Sequence, residues 1–485
     1  MKYKIPPGVF DLIPEDEREP WKSSYLWNYV EREIRQVAQD FGYSEIRTPA
    51  FERTELFQRG VGETSDIVSK EMYTFDDKGG RSMSLRPEGT APAMRAYIEN
   101  NLTNRGSVHK LFYIGPMFRY ERAQAGRYRQ HHQFGVEAIG NSGADQDVEV
   151  IDLIYTLYKR LGLQQLKVCI NTLGDIESRL IYREELKKYL SQYLSDLSED
   201  SKNRLQINPL RILDSKNPKD QEIVAGAPTI DNFLTDTARA HFDKVQELIE
   251  LIGIPYEVSS NLVRGLDYYT HTVFEIVAGE IGAQNSIVGG GRYDGLIKTL
   301  GGPDLPACGF GCGIERVIQT MLKQMVDLPK PDHPTLFFIP LGGKAREECF
   351  KLVHQLRQDG IRVSMDFSER KLNKVMQYAN QIRAQYVAVI GEEEITSAEV
   401  ELKEMDTGER FKAPLHRLSR IMRIESEKEA FIDVWSELSK PFEDSREQEF
   451  FIKKLGSSID QTSEITKDLE VALENIQNIV EQSDK

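Results

Sequence analysis

The chain has 485 residues, too many for a single hydrophobic core, so we expect two to four domains. Its 62 basic and 77 acidic residues give a net charge of −15, which argues against binding nucleic acid over a broad surface but leaves room for a local basic loop. The four cysteines form no CxxC pair, which argues against a zinc site or a disulfide framework and favours a reducing compartment. With no apolar leader and no run of about 18 apolar residues, we expect a cytoplasmic protein without a membrane span.

The first half of the chain predicts a helix, a hairpin and a helical insertion, in that order. Apolar residues three to five apart predict a helix over about 14–41, and SEIRTPAF then predicts a short strand. Residues 110–121 and 130–140 have the pattern of two strands, which the loop RAQAGRYR joins into a hairpin. Between 175 and 244 the strand signal is weak and leucines recur at helical spacing, so we predict a helical insertion there.

The second half begins with further strands, which are followed by an α/β region and then by an acidic tail. A proline-rich linker separates the strands from a stretch that alternates strand and helix, which predicts a small α/β domain with a mixed sheet. The acidic tail is helix-prone, and we expect it to dock on its own subunit or, as the second choice, to bind a partner. The predicted division is a discontinuous core at 1–174 and 245–326, the insertion at 175–244, the linker at 327–334, the α/β domain at 335–420 and the tail at 421–485.

Polar side chains gather on the predicted hairpin. Side chains two residues apart share a strand face, so Arg119 lies with Glu121 on one strand and Gln133 with Glu137 on the other. Such a face is poor core material, because buried charges are costly unless they are paired. It is typical of a binding site for a polar ligand, but also of a solvated sheet face that bears a surface salt bridge.

The loop of this hairpin is locally basic in an otherwise acidic chain. Its cationic, amide and phenol groups fit contacts with phosphates and base edges, although an ordinary charged hairpin tip carries the same groups. The residues are Arg122, Gln124, Arg127, Tyr128 and Arg129.

The segment LVRGLDYYTHTVFEIV, at 262–277, places Arg264 ahead of a strand that is predicted to begin at Asp267. A guanidinium in that place indicates an anionic partner rather than a core. The partner is a ligand or, in the plainer interpretation, Asp267 or Glu275 in a structural salt bridge. The chain has no complete P-loop, no dinucleotide fingerprint, and neither the HIGH nor the KMSKS signature, so an ATP site would need another architecture.

Several segments together resemble the histidine–tRNA ligases, a family of class II aminoacyl-tRNA synthetases. The first helix with RTPAFERTELFQRGVGETSDIVSKEMYTF resembles the dimer-forming motif 1, the hairpin resembles motif 2, and PACGFGCGIERV resembles motif 3. LRPEGTAP, LVRGLDYY and GGGRYDGL narrow the resemblance from the class to this family, over residues 1 to about 420. It implies an α+β fold with helices flanking an antiparallel sheet, followed by an anticodon-binding α/β domain.

The resemblance also implies substrates, an assembly and residue roles. The substrates are L-histidine, ATP and histidine tRNA, with Mg²⁺ bound through the ATP phosphates, no protein metal site, and a homodimer as the assembly. The histidine-binding residues are Glu88, Gly89, Thr90, Gln133, Glu137, Tyr268 and Tyr269. The ATP-binding residues are Arg119, Gln133, Arg264 and Arg316, of which Arg119 and Arg264 are catalytic and meet the α-phosphate from two sides. Arg122 and Gln124 resemble the residues that read the tRNA acceptor end.

Departures from the family pattern and a rival interpretation accompany this resemblance. The hairpin loop reads RAQAGRYRQHHQ where relatives usually have RPQKGRYRQFHQ, and RKLNKV replaces the usual RSLKKQ in the α/β domain. His131 and His132 do not suggest a metal pair, because neighbours on a strand face opposite ways. The rival is the non-catalytic, synthetase-like regulatory subunit of ATP phosphoribosyltransferase. The presence of Arg119, Arg264 and a domain after Pro334 argues against it.

Overall fold

The structure is a computed structural model that describes residues 3–62, 65–121, 127–279, 286–368 and 370–425. The chain divides into two compact units between Pro331 and Asp332, a point that falls inside the predicted linker. The exact domain limits stay predictions. Among the helices described, none combines the length and the apolar character that crossing a membrane requires.

The first unit is built from both strands and helices. Its strands are β1 (Ser44–Glu45), β2 (Phe51–Arg53), β3 (Thr74–Asp76), β4 (Ser82–Leu85), β5 (His109–Phe118), β6 (Gln130–Ile139), β7 (Leu166–Thr172), β8 (Tyr256–Val258), β9 (Thr270–Ala278), β10 (Ser286–Arg292) and β11 (Ala307–Gly313). Its helices are α1 (Ser24–Asp40), α2 (Thr54–Val61), α3 (Thr90–Glu99), α4 (Ala144–Arg160), α5 (Ile176–Ser191), α6 (Glu199–Ile207), α7 (Pro218–Val224), α8 (Asp236–Leu251), α9 (Leu296–Thr299) and α10 (Ile314–Lys323).

In the described part of this unit, the strands form an eight-stranded sheet in the order β1-β5-β6-β11-β10-β9-β7-β8. The strands from β5 to β7 in that order run antiparallel, whereas β1 and β8 are parallel additions at the two edges. A separate three-stranded sheet has the order β2-β4-β3. The predicted fold, an antiparallel sheet flanked by helices, is confirmed.

The hairpin of β5 and β6 shows why the two faces of the sheet differ. Phe134 and Val136 of β6 lie in the main hydrophobic core, together with residues of α1, α4, α8 and α10. Gln133 and Glu137 alternate with them and therefore lie on the opposite face. The period-two pattern thus separates a packed side from a side that carries functional groups.

The first predicted helix begins too early. Pro20–Lys22 form a separate 3₁₀ turn, and α1 starts only at Ser24. Upstream, the Asp16 carboxylate accepts the backbone N–H groups of Arg18 and Glu19, both at 2.9 Å. These local bonds stabilise a turn where the apolar spacing predicted the first helical turn.

Two strand predictions also extend too far. Strand β5 ends one residue before Arg119, and the N–H of Glu121 donates to the carbonyl of Arg119 (2.8 Å), so these two side chains do not share a strand face. Strand β9 begins at Thr270, so Tyr268 and Tyr269 precede it in an irregular segment. Arg119 and the tyrosine pair therefore lie just outside strands β5 and β9, where side chains of other elements can reach them.

The region predicted as a helical insertion contains α5, α6 and α7. Their apolar residues form a hydrophobic cluster of their own, which includes Leu186, Leu190 and Leu205. Helix α8 begins in this region but continues past residue 244, and its Phe242 packs into the main core. The insertion is therefore joined to the core by a continuous helix.

The second unit is a mixed α/β structure, as predicted. Strands β12 to β14 pair in parallel in the order β13-β12-β14, and β15 and β16 extend the sheet antiparallel. The strands are β12 (Leu336–Pro340), β13 (Val363–Met365), β14 (Tyr386–Ile390), β15 (Glu399–Glu404) and β16 (Arg410–Pro414), and the helices are α11 (Gly343–Gln358), α12 (Leu372–Gln381) and α13 (Glu392–Ser397). Nearly all of the predicted acidic tail, from residue 426 onward, lies outside the described residues.

Candidate active site

A cavity of about 960 Å³ opens on the polar face of the eight-stranded sheet. The four residues predicted to bind ATP all line it: Arg119, Gln133, Arg264 and Arg316. Residues of the helical insertion line its other side. We call this space the arginine cavity. The two guanidinium groups predicted to converge thus share one space, although they come from segments far apart in the chain.

Arg264 shows how the site is held before any ligand arrives. Its Nη1 donates to the Glu275 carboxylate of β9, so the salt bridge of the plainer interpretation is present. Asp267, the other predicted partner, instead accepts from Asn208 Nδ2 (2.8 Å). The Nε of Arg264 is buried without a hydrogen-bond partner among the described residues. Since an unsatisfied buried donor is costly, this nitrogen favours an anionic or carbonyl ligand.

Backbone carbonyls hold two further arginines of the arginine cavity in place. Arg119 is fixed by its Nε, which donates to the carbonyl of Pro87 (2.8 Å), and Arg316 by its Nη1, which donates to the carbonyl of Ser286 (2.9 Å). Burial, with the neighbouring Arg119, lowers the pKa of His131 to about 3, so this imidazole stays neutral at pH 7. The positive charge is therefore concentrated on arginines, whose planar donors suit phosphate oxygens.

Glycines on adjacent strands make room for these side chains. Gly289 on β10 pairs with Gly311 on β11. A Cβ on Gly289 would lie 2.0 Å from Nη2 of Arg264, and a Cβ on Gly311 would lie 2.0 Å from Nε2 of Gln133. No real side chain tolerates such distances, so the glycine positions are what allow Arg264 and Gln133 to lie against the sheet.

A buried group of carboxylates and phenols adjoins the arginine cavity, and we call it the tyrosine cluster. It comprises Glu88, Thr90, Glu137, Tyr113, Tyr268, Tyr269 and Tyr293. Ring centroids are 4.7 Å apart for Tyr268 and Tyr269, and 5.5 Å apart for Tyr268 and Tyr293. Burial raises the pKa of Tyr269, an effect that the positive charge of Arg264 opposes, so the cluster and the cavity are electrostatic neighbours.

Glu137 is the central acid of the tyrosine cluster. It is fully buried, and its Oε2 accepts from the Tyr293 hydroxyl. Its Oε1 has no hydrogen-bond partner within the described structure. Burial raises the pKa of Glu137 to about 8, and the nearby Glu88 carboxylate adds to the effect. One oxygen is thus fixed, while the other is an acceptor that awaits a polar ligand.

Glu88 combines a binding role with a structural one. Its two carboxylate oxygens accept the N–H groups of Thr90 (2.7 Å) and Ala91 (2.9 Å) at the start of α3. Burial raises its pKa, and these two hydrogen bonds oppose the increase. Each oxygen keeps a second lone pair, so the carboxylate can still accept from a bound ammonium group.

The structure therefore brings together all of the predicted residues that it describes. Gly89 is the N-cap position of α3, where an added Cβ would lie 2.2 Å from the Tyr113 ring. The predicted acceptor-end residues, Arg122 and Gln124, lie outside the described residues. Sequence reasoning missed Tyr113 and Tyr293 as members of the site. In the structure Tyr113 pairs directly with Gly135 across the hairpin, and a glycine opposite a tyrosine leaves space for the ring. That glycine in the predicted strand was the one sequence feature that pointed to Tyr113.

Comparison with known proteins decides the family. Residues 17–317 match the family model described as histidyl-tRNA synthetase, and residues 335–423 match the model of an anticodon binding domain. This chain belongs to the histidyl-tRNA synthetase family. The second match assigns the second unit as the anticodon-binding α/β domain, so that part of the prediction is confirmed.

Individual relatives agree with the family assignment. The histidine–tRNA ligase of Protochlamydia amoebophila is 62% identical over 423 residues, which cover 87% of this chain and 100% of that protein. The apo crystal structure of the S. aureus histidyl-tRNA synthetase superposes with a TM-score of 0.74 at 36% identity, covering 87% of this chain and 99% of the other. The predicted activity, aminoacylation of histidine tRNA, is confirmed at this level.

The rival interpretation is not favoured. A structure from Bacillus halodurans that carries the name ATP phosphoribosyltransferase regulatory subunit/histidyl-tRNA synthetase is only 25% identical, with a TM-score of 0.58 and coverage of 80% of this chain and 98% of the other. The synthetase relatives are closer in sequence, and this chain retains the arginines of the cavity. The chain is therefore an aminoacylating enzyme rather than a regulatory subunit.

Proposed function

We propose that the arginine cavity and the tyrosine cluster together activate histidine and transfer it to tRNA. In the first step a carboxylate oxygen of histidine attacks the α-phosphorus of ATP, diphosphate leaves, and histidyl-adenylate remains. In the second step a ribose hydroxyl at the tRNA 3′ end attacks the acyl carbon and AMP leaves. The observation that carries this proposal is the shared cavity of Arg119 and Arg264 beside a buried acceptor on Glu137.

The tyrosine cluster would hold the amino acid. Glu88 and Thr90 supply acceptors for the ammonium group, and Oε1 of Glu137 accepts an N–H from the imidazole. Tyr268 and Tyr269 pack around the ring and offer hydroxyl groups to it. A pocket that must hydrogen-bond its substrate rejects an analogue that lacks the group by about 10⁴–10⁵-fold, because its own buried groups would be left unpaired.

The arginine cavity would hold the anions. The carboxylate of histidine is already ionised at neutral pH, so its attack needs no general base. What the step requires is that two anions lie close together and that charge developing at phosphorus is neutralised. Arg119 and Arg264 do this with donors that are held by Pro87 and Glu275 before the substrate binds. Gln133, on the floor between them, would contact the carboxylate and the nucleotide.

Mg²⁺ would enter with ATP, bound to its β- and γ-phosphates. Mg²⁺ bound to ATP usually keeps several waters beside the phosphate oxygens, so it would need only one or two carboxylates from the protein. Glu71 and Glu121 line the cavity, and burial together with the Glu121 charge raises the pKa of Glu71. Adjacent carboxylates of this kind fit a cation, which would further neutralise the leaving diphosphate.

We also propose a homodimer in which the three-stranded sheet takes part. Phe51 and Phe75 are in ring contact on this sheet (6.4 Å), yet they are 52% and 45% exposed. They belong to the segment that resembles the dimer-forming motif 1. Phe51→Asp would therefore shift the protein from dimer to monomer in sedimentation velocity, and an unchanged dimer would exclude this face from the interface.

The proposed function is tested by ATP–diphosphate exchange with each of the twenty amino acids in turn. Histidine alone should support exchange, because only its side chain offers a ring N–H to Glu137 along with the size that the tyrosines allow. Exchange with a different amino acid, or none with histidine, would contradict the proposal. Charging of histidine tRNA, followed in the same preparation, then tests the second step.

A further inference from the structure

The loop at 260–269 carries Arg264 and the tyrosine pair but belongs to no helix or strand. Its backbone therefore lacks the ladder of hydrogen bonds that fixes the neighbouring strand β9. A catalytic arginine on such a segment needs another restraint, because a misplacement of about 1 Å can reduce a rate by about 10²-fold.

Side chains from elsewhere provide that restraint by donating to carbonyl oxygens of the loop. Asn171 of β7 donates its Nδ2 to two of them, at 3.2 and 2.9 Å. The helical insertion donates to three more, through Arg179 and Arg211. The five carbonyls belong to Ser260, Leu262, Gly265, Asp267 and Tyr269.

Arg179 makes the most direct of these contacts. Its Nη1 donates to the carbonyl of Tyr269 (2.9 Å) and its Nη2 to the carbonyl of Asp267 (3.1 Å), so one planar guanidinium spans the two carbonyls that flank Tyr268. Burial lowers the pKa of Arg179, while the Asp267 charge opposes this, and an arginine stays protonated in any case. A lysine has a single nitrogen and cannot reproduce this planar fork.

The helix turn that carries Arg179 is stabilised by a side-chain cap. Arg179 lies in the first turn of α5, whose N-cap Asp175 accepts the N–H of Ser178 (2.8 Å). Nearby, Arg211 of the insertion donates to the carbonyl of Gly265 (3.3 Å). The insertion therefore hydrogen-bonds the loop ahead of the tyrosine pair, at Gly265, and also within the pair, at the carbonyl of Tyr269.

Apolar packing supports the same connection. Val263, next to Arg264, packs against both the hydrophobic cluster of the insertion and the hydrophobic cluster that includes Tyr269 and Tyr293. The insertion also lines one side of the arginine cavity. The insertion is thus in contact with the loop that carries Arg264.

We propose that Arg179 is a positioning residue for histidine activation, through which the helical insertion holds the 260–269 loop so that Arg264 and Tyr268 keep their places. This inference rests on the roles proposed above for those two residues. It gives the insertion a part in the first step, before any tRNA is bound. Arg179 touches no substrate and acts only through the loop.

The test compares Arg179→Gln with Arg183→Gln in the full-length protein. Arg183 lies one turn later on α5 and donates to the carbonyl of Ile207 (3.1 Å), a contact within the insertion itself, so it is a matched control. ATP–diphosphate exchange is measured per active site, with the midpoint of thermal unfolding recorded for each variant. We expect Arg179→Gln to lose about 10²-fold in the exchange rate, with a raised KM for histidine, and Arg183→Gln to stay within about twofold of wild type.

Arg179→Lys keeps the charge and should fold even if the glutamine variant does not. Because a lysine's single nitrogen cannot reproduce the planar fork, this variant should recover part of the rate and leave a deficit of about 10-fold. Exchange at the wild-type level in Arg179→Lys, or equal losses in the Arg179 and Arg183 variants that follow their thermal stabilities, would overturn the inference. If Arg264→Ala retains normal exchange, the proposed role of Arg264 fails instead, so the two failures are distinguishable.

Discussion

The arginine cavity and the tyrosine cluster lie side by side but work by opposite physical means. The cavity is open and lined by several arginines, and the donors of Arg119 and Arg316 are fixed at one end and available at the other. The cluster is buried, and its central carboxylate has a pKa raised to about 8. In the function we propose, charge serves the polyanionic nucleotide, and hydrogen-bond geometry in a buried pocket serves recognition of a small ring. On that proposal, rate and selectivity reside in different parts of one site.

The largest expected effect separates rate from binding. Arg264→Ala removes a cation that we propose stabilises the transition state, so the rate of ATP–diphosphate exchange should fall by about 10²–10³-fold. The KM for histidine should change little, because the tyrosine cluster remains. A rate near wild type would show that the pair with Glu275 is the only role of Arg264.

A change beneath the cavity should act on the same step. Gly289→Ala places a Cβ where the guanidinium of Arg264 lies, at 2.0 Å, and must displace it. We expect exchange to fall by about 10²-fold, since a shift of about 1 Å has effects of that size. Gly343→Ala is the control, because a Cβ there meets nothing within 4 Å. Full activity in Gly289→Ala would mean that the arginine can rearrange freely.

Tyr293→Phe should weaken histidine binding rather than slow the chemical step. Without the hydroxyl, one oxygen of Glu137 loses its donor, at a cost of about 1–3 kcal/mol, and the KM for histidine should rise about 10–100-fold at pH 7. That hydrogen bond lowers the pKa of Glu137, so its loss moves the pKa above about 8 and keeps the acid protonated to higher pH. The defect should therefore shrink as the pH rises from 7 towards 9.5.

The control for this experiment is Tyr97→Phe, whose buried hydroxyl has no hydrogen-bond partner among the described residues. Its KM for histidine should match wild type at every pH. A Tyr293→Phe defect that is the same at all pH values would show that the hydroxyl does not act through Glu137.

The smallest effect is expected from the tail. Met422 is fully buried and Glu425 accepts from the Tyr386 hydroxyl (2.8 Å), so a truncation after 420 would damage the second unit, and the cut belongs after 425. A chain ending at 425 should show exchange within about twofold of the full-length protein. A large loss would mean that the tail takes part in catalysis or assembly, against our expectation that it docks on its own subunit.

Much of this site was predictable because its motifs are local. The hairpin strands, the pairing of Gln133 with Glu137 on one face, and the place of Arg264 ahead of a strand all follow from short-range patterns. The contact of Tyr293 with Glu137 joins residues 156 positions apart and has no such signature. The hydrogen bonds from Arg179 to the loop likewise join residues far apart in the chain. The sequence pattern did not show that the carbonyls of Asp267 and Tyr269 bond to Arg179, and it predicted that the strand begins at Asp267.

The paired glycines have a practical consequence for anyone who wishes to redesign this enzyme. A floor made of glycine cannot be trimmed further, so a bulkier amino acid cannot be admitted by cutting into the sheet beneath Arg264 and Gln133. Extra volume must come from a wall such as Tyr113, which lies over Gly89 and Gly135, although shortening it would also remove its interaction with Glu137.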